Sequence, residues 1–206
     1  MIKLWGRNNS VNVQKVVWCL EELGLLYERI DAGGAFGIVK TAEYSAVNPN
    51  RLVPAMEQDG MVFWESNSIV RYLCARYSSG VLWLDDPLSR AVGDRWGDWQ
   101  ATNFTPATMP AFWNLVRTPE AQRDADAVKR SCAASDERLE MLDTHLASHP
   151  FVGGETFGFA DIILGPAVHR WLHMPVQQQP YPHIRRWYQT ISSRPTSKNA
   201  LLLPIT

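Results

Sequence analysis

"NPNRLVPAMEQDGMVFWESNSIVRYL", residues 48–73, decides the fold of the first part of the chain. Two apolar runs flank Asp59-Gly60, the strongest short signal for a two-residue hairpin. Pro54 near the start of the first run suits an edge-type strand, because proline cannot donate to a ladder. "SNSIVRYLCARY" then reads as a helix, with Ser66 as N-cap and Ile69, Val70, Leu73 and Tyr77 turned inward.

Working upstream, "IKLW" at 2–5 reads as a short strand. Residues 12–23 follow a helical period. Val13, Val16, Val17, Leu20 and Leu23 share one face, and Gln14, Lys15, Glu21 and Glu22 form the opposite, polar one. Gly24 stops the helix. "LLYERIDA" is a second strand, and 32–50 is a loop with at most one short helix. The order is β-α-β-α-β-β-α, with the first two strands parallel across a right-handed crossover and the last two antiparallel. That is a thioredoxin-like layout. Downstream the character changes, and no strand pattern recurs after residue 86. Val92, Trp96 and Trp99 share a helix face, which Pro106 and Pro110 should bend or end. Val128, Cys132, Ser135, Leu139, Leu142 and Leu146 alternate steps of four and three, giving a long amphipathic helix. "GFADIILGPAVHRWLHM" is apolar nearly all round and reads as a central buried helix, and Ile184, Trp187, Tyr188 and Ile191 mark a last one. The reading is therefore α/β plus all-α: a thioredoxin-like domain over 1–79 and an all-helical domain over 87–206.

The 206 residues are 46% apolar and 20% charged, with 20 basic against 21 acidic residues. A packed core is expected and a nucleic-acid or membrane-surface protein is not. No run approaches a membrane span and no leader is evident, so a cytoplasmic location is expected. Cys19, Cys74 and Cys132 are widely spaced and form neither a metal-ligand cluster nor a disulfide framework. Each falls in a helical pattern, as a buried inert thiol would.

Four segments in register resemble the cytosolic glutathione S-transferases: "NPNRLVPAM", "WESNSIVRYL", "FADI" and "YPHIRRWYQTISSRP". The resemblance spans nearly the whole chain. It implies that Pro54 is cis and that Val53 offers its N–H and C=O to the cysteine of glutathione. Ser66 and Glu65 would hold the carboxylate and ammonium of the γ-glutamyl end at a helix N-terminus, an anion site by its dipole. Asp161 reads as structural. At N3 it can reach back to the Gly158 N–H, half of a capping box that lacks the usual Ser or Thr.

A transferase of this kind needs glutathione as the thiolate, and the thiol donor differs between classes. Trp5 replaces the usual tyrosine and no cysteine lies near residue 10. Ser10 falls where theta-like and zeta-like members carry serine, and "SVNVQKV" resembles a nu-class segment in which Ser10 and Asn12 stand for threonine and asparagine. Ser10 is the expected catalytic residue, with Asn12 as second donor and Asn9 as nearest rival; the alternative is that Ser10 only caps the helix. Leu52 stands where a theta-like member has lysine, so the glycyl carboxylate is left to Lys40, with Arg51 or Gln14 as substitutes and Phe36 closing over the ligand. The second substrate should meet an aromatic, uncharged wall of Trp96, Trp99, Asn103, Phe104 and Trp113, with Thr102 and Phe112 as further candidates. That wall favours a hydrophobic electrophile. The expected enzyme is a homodimer that uses glutathione as co-substrate and no metal. The rival readings are an interaction module with little turnover, or a glutathione-dependent peroxidase, isomerase or dehalogenase.

Overall fold

The computed structural model describes residues 1–205. Strands β1 (Ile2–Trp5), β2 (Tyr27–Ile30), β3 (Ala55–Gln58) and β4 (Met61–Trp64) form one sheet in the order β2-β1-β3-β4. β1 runs parallel to β2 and antiparallel to β3, and β3 is antiparallel to β4. Helix α1 (Val11–Glu22) makes the crossover. Asp59 and Gly60 have φ of 53° and 79°, the left-handed pair that a two-residue hairpin requires. α2 (Ala42–Val47) lies in the long loop and α3 (Ser66–Tyr77) follows β4. β3 is paired on both sides, so the edge-strand expectation for Pro54 does not hold. The proline precedes the strand and removes no ladder bond. Glu65, not Ser66, is the N-cap of α3, and Tyr77 is 39% exposed at the far end of the helix rather than turned inward.

The second part is helical. α4 (Pro87–Trp99) continues through a π-helical turn, Gln100–Phe104, into α5 (Thr105–Phe112) and a second π turn, Trp113–Arg117. Pro106 and Pro110 therefore do not end the helix. The wide turn, in which Thr105 N–H donates to Gln100 C=O five residues back, makes room for a proline that a regular i−4 turn would reject. α6 (Ala125–Ser148) buries Ser135, Leu139, Leu142 and Leu146 along the expected seam. α7 (Phe159–Leu172) is buried nearly all round, and α8 (Pro182–Ser192) buries Ile184, Trp187 and Ile191. α9 (Lys198–Leu201) is the last helix of the described residues. No helix among the described residues is long and apolar enough to cross a membrane.

Helix α1 packs against α3, α7 and α9, so it lies between the sheet domain and the helical one. This explains why Gln14 and Lys15, expected in water, are 5% and 2% exposed. Asn67 Nδ2 donates to Gly97 C=O at 2.8 Å, and Arg71 donates to Asp94 at 2.8 Å and Asp98 at 2.6 Å. Arg194 and Thr196 both bond Glu22. Cys19 and Cys74 are buried, with their sulfurs 3.6 Å apart, while Cys132 is half-buried.

Asp161 is fully buried at the start of α7. Its Oδ2 accepts from Gly158 N–H at 2.9 Å, the expected reach-back, and its Oδ1 accepts from Val152 N–H at 2.9 Å and Trp187 Nε1–H at 2.7 Å. One carboxylate thus ties the preceding loop, α7 and α8 together. Burial pushes its carboxyl up to about 6, against the pull of these three donors. Removing it leaves three buried donors unsatisfied, each an uncompensated desolvation cost. Asp161→Ala should lose about 3–5 kcal/mol in urea unfolding. A loss under about 1 kcal/mol would contradict this role.

Candidate active site

The site begins where β1 hands over to α1. Gly6 N–H donates to Ile30 C=O at 2.9 Å and Arg7 N–H to Ala32 C=O at 3.1 Å, so the β1–β2 pairing carries on into the loop. A Cβ on Gly6 would stand 2.4 Å from Val13, which keeps this loop pressed onto the helix. Ser10 N–H then turns back to Arg7 C=O at 3.2 Å. Ser10 takes an extended conformation (φ −93°, ψ 120°) as N-cap, its C=O accepting from Gln14 N–H at 2.9 Å. Its side chain makes no capping bond. The residue is only 8% exposed, and its hydroxyl lies at the first turn of α1, whose N–H groups have no partner within the helix.

Two adjoining cavities meet here. One, of about 270 Å³, is bordered by Ser10, Asn12, Leu52 and Val53 from the sheet domain and by Met109, Phe112 and Trp113 from the helical one. The other, of about 370 Å³, is bordered by Lys15, Glu65, Ser66, Arg71 and Gln100. Asn12 and Thr105 border both, so one elongated ligand can span them. The Val53–Pro54 peptide is cis. Leu52 C=O is held by Tyr44 Oη–H at 2.7 Å and Asn48 Nδ2–H at 2.9 Å, which fixes the segment from behind. Among the described residues neither the N–H nor the C=O of Val53 has a hydrogen-bond partner.

At the second cavity Glu65 stands at φ 70°, exposed, with its carboxylate at the head of α3, and Ser66 is 6% exposed in the first turn. Lys15 forms the floor. Its ammonium donates to Asn67 Oδ1 at 2.9 Å and Gln100 Oε1 at 2.6 Å, and Gln100 Nε2 in turn donates to Thr105 Oγ1 at 2.6 Å. Burial first, and then Arg170, lower its pKa to about 7, against the upward pull of Glu65. Lys15 was absent from the sequence-derived site because its helix face becomes buried only when the second domain docks.

Ser10, Asn12, Leu52, Val53, Glu65, Ser66 and Trp113 thus come together around the two cavities. Asn9 does not. It borders a separate small cavity with Gln14 and His169. Phe36 and Lys40 are exposed on the loop after β2 and border neither cavity, and Arg51 is occupied with Ser45 Oγ at 3.1 Å. The expected aromatic wall is largely core. Trp96 and Phe104 are buried, and Trp99 packs against both rings with centroids 4.9 and 5.5 Å away. Asn103 is exposed and bonded to Thr102. The π turn Gln100–Phe104 re-aims the helix, so the cavity face is Thr105, Thr108, Met109 and Phe112, at i, i+3, i+4 and i+7. Nor is the wall uncharged: Arg7, Arg117 and Arg170 border it.

Family models support the same reading. The glutathione S-transferase N-terminal domain model matches residues 9–76 and the C-terminal domain model matches 104–195. The chain belongs to the glutathione S-transferase family. It is 41% identical over the full length of both chains to glutathione S-transferase GstB of Escherichia coli strain K12. It is 28% identical to glutathione S-transferase 3 of Zea mays, over 99% of this chain and 95% of that one. Among solved structures, the theta class enzyme of Xanthomonas axonopodis pv. citri with glutathione bound superposes with a TM-score of 0.96 at 41% identity, over 100% of this chain and 99% of that chain.

Lys15 gives the site a pH signature. The unfolded chain holds the lysine proton up to about 10.5, whereas the fold releases it near 7. The unfolded state therefore binds more protons between those values, and stability rises with pH across that window. From pH 7 to 9 the urea stability should gain about 2 kcal/mol from this residue. Lys15→Met should flatten that rise; an equal rise in the variant would remove Lys15 as its cause.

Proposed function

We propose that the chain binds glutathione across both cavities as the thiolate, and that the Ser10 hydroxyl donates to its sulfur. The observation that carries this is the unspent side chain of Ser10. As an N-cap serine it would ordinarily accept from the N–H of the second or third helical residue. Here it makes no such bond and borders the cavity between the two domains instead. Asn12, exposed on the first turn, is the second donor within reach of the same space. The positive end of α1 adds its dipole to both.

The rest of the tripeptide follows from the placement of the other groups. Val53, with N–H and C=O unpaired, suits the antiparallel clasp of the cysteinyl residue. Ser66 and the first-turn N–H groups of α3 suit the γ-glutamyl carboxylate, and Glu65 its ammonium. Phe36 and Lys40 stand on the loop toward which the glycyl end would run. A free thiol with pKa near 8.5 is mostly protonated at neutral pH. Lowering it by two units takes about 3 kcal/mol of selective anion stabilisation, within the reach of one charge-assisted hydrogen bond and a helix terminus. The thiol proton leaves to solvent. The sulfur lone pair then forms a bond to an electrophilic carbon as the leaving group departs with its electron pair, or adds to an activated double bond. The cavity between Ser10 and Phe112 holds that carbon close to the sulfur, so proximity adds to thiolate activation. A homodimer belongs to the same proposal. Met61, Val62 and Trp64 on β4 are 63%, 39% and 42% exposed, an apolar strand that a second copy would cover. So does a cytoplasmic location, where glutathione is abundant.

Glutathione binding by calorimetry, followed by the ultraviolet absorbance of the bound thiolate against pH, tests the reading. The bound thiol should titrate about two units below its free value. Ser10→Ala should return most of that shift and lower kcat/KM by roughly a hundredfold. Absence of binding would leave only an interaction module. An unshifted thiol would remove the activation step, and an unchanged shift in Ser10→Ala would transfer the role to Asn12 and the backbone N–H groups.

A further inference from the structure

Three arginines converge on the cavity that Ser10 faces. Arg7 comes from the β1–α1 loop, Arg117 from the end of the second π turn and Arg170 from the last turn of α7. The guanidinium carbon of Arg170 lies over the Phe112 ring, 4.1 Å from the centroid, and that of Arg117 is 5.6 Å from the same centroid. The Arg7 side chain is laid along the Gly33–Gly34 turn, where a Cβ on Gly34 would come within 3.1 Å of its Cδ and Nε. Among the described residues no carboxylate pairs with Arg7 or Arg170. The like charges oppose one another. Burial first, then Arg117 and Arg7, lower the pKa of Arg170 to about 10, and burial followed by Arg117 lowers that of Arg7.

Bringing Arg7 and Arg170 to one half-buried wall without a carboxylate partner costs stability, which the Phe112 ring under Arg170 offsets only in part. Such a wall is an anion site: planar forks matched to carboxylate or another oxyanion, in a cleft where low dielectric strengthens each contact. The γ-glutamyl carboxylate of glutathione has its own place at Ser66, on the far side of Asn12. Arg117 and Arg170 stand in the helical domain with Phe112 and Trp113, the side from which the second substrate approaches. We propose, building on the transferase reading above, that the second substrate is an anionic electrophile, a carboxylate-bearing aromatic or unsaturated compound whose carboxylate is held by Arg170 with Arg7 and Arg117. The Phe112 and Trp113 rings pack its apolar body and the arginines hold its charged end, which leaves the electrophilic carbon toward Ser10.

A matched pair of probes reads this directly: 4-chloro-3,5-dinitrobenzoate and its methyl ester. In each the glutathione sulfur bonds the ring carbon and chloride leaves with the bonding electrons. With rates corrected for the uncatalysed reaction, wild type should favour the benzoate by about tenfold in kcat/KM, the value of one charged hydrogen-bonded contact. Raising the salt concentration should erode that preference. Arg170→Met should lower the benzoate-to-ester ratio by about tenfold, and Arg117→Met, at an exposed position that does not threaten folding, should lower it in the same direction. A wild-type preference for the ester, or a ratio unchanged in both variants, would overturn the anionic substrate while leaving the transferase intact. A rise in KM for glutathione with no change in the ratio would overturn it too, and assign the arginines to the glycyl carboxylate. If wild type binds no glutathione and turns over neither probe, this inference falls together with the transferase reading.

Discussion

Helix α1 is buried from Val13 to Leu20, and the site depends on that. Its flanks meet α3, α7 and α9, its first turn opens on both cavities, and the loop before it is clamped by Gly6 against Val13. A helix so enclosed cannot fray at its N-terminus, so the orphan N–H groups and the Ser10 hydroxyl keep a fixed direction. In a low-dielectric cleft a fixed donor costs no reorganisation when charge develops beside it, which is what the proposed role of the Ser10 hydroxyl requires.

The same enclosure joins the two domains chemically. Lys15 reaches from α1 to Asn67 on α3 and to Gln100 at the start of the π turn, so the cavity at Ser66, the interface and the re-aimed helix share one hydrogen-bonded centre. The π turn then sets which face of the long helix borders the cavity beside Ser10. Its extra residue turns Phe104 into the core, stacked on the half-buried Trp99, and brings Thr105, Met109 and Phe112 to the cavity. Asp161 performs the corresponding task behind the site, by fixing α7, which carries Arg170, against α8.

Local signals carried most of the fold. Asp59-Gly60 specified the hairpin, the four-three spacing along 128–146 specified the seam of α6, and the all-round apolarity of 159–172 specified its burial. Ser10, Val53 and Ser66, which border the two cavities, were legible as candidates because each sits at an element boundary, where backbone groups are left unpaired and the local sequence says so. The second-substrate wall was not. The aromatic residues at 96, 99 and 104 mark a helix face but not what it faces, and the π turn that decides this has no periodic signature. Lys15 reads as a solvated lysine until a glutamine 85 residues further on closes over it. The arginines at 7, 117 and 170 are far apart in sequence and meet only in the folded chain.

The most direct measurement is a crystal structure of the chain with reduced glutathione. The account predicts the cysteinyl backbone paired with Val53, the γ-glutamyl carboxylate at Ser66, and the sulfur within hydrogen-bonding distance of Ser10 Oγ, with that hydroxyl making no bond to the first turn of α1. A sulfur held by other groups while Ser10 Oγ accepts from Asn12 or Val13 N–H would contradict it.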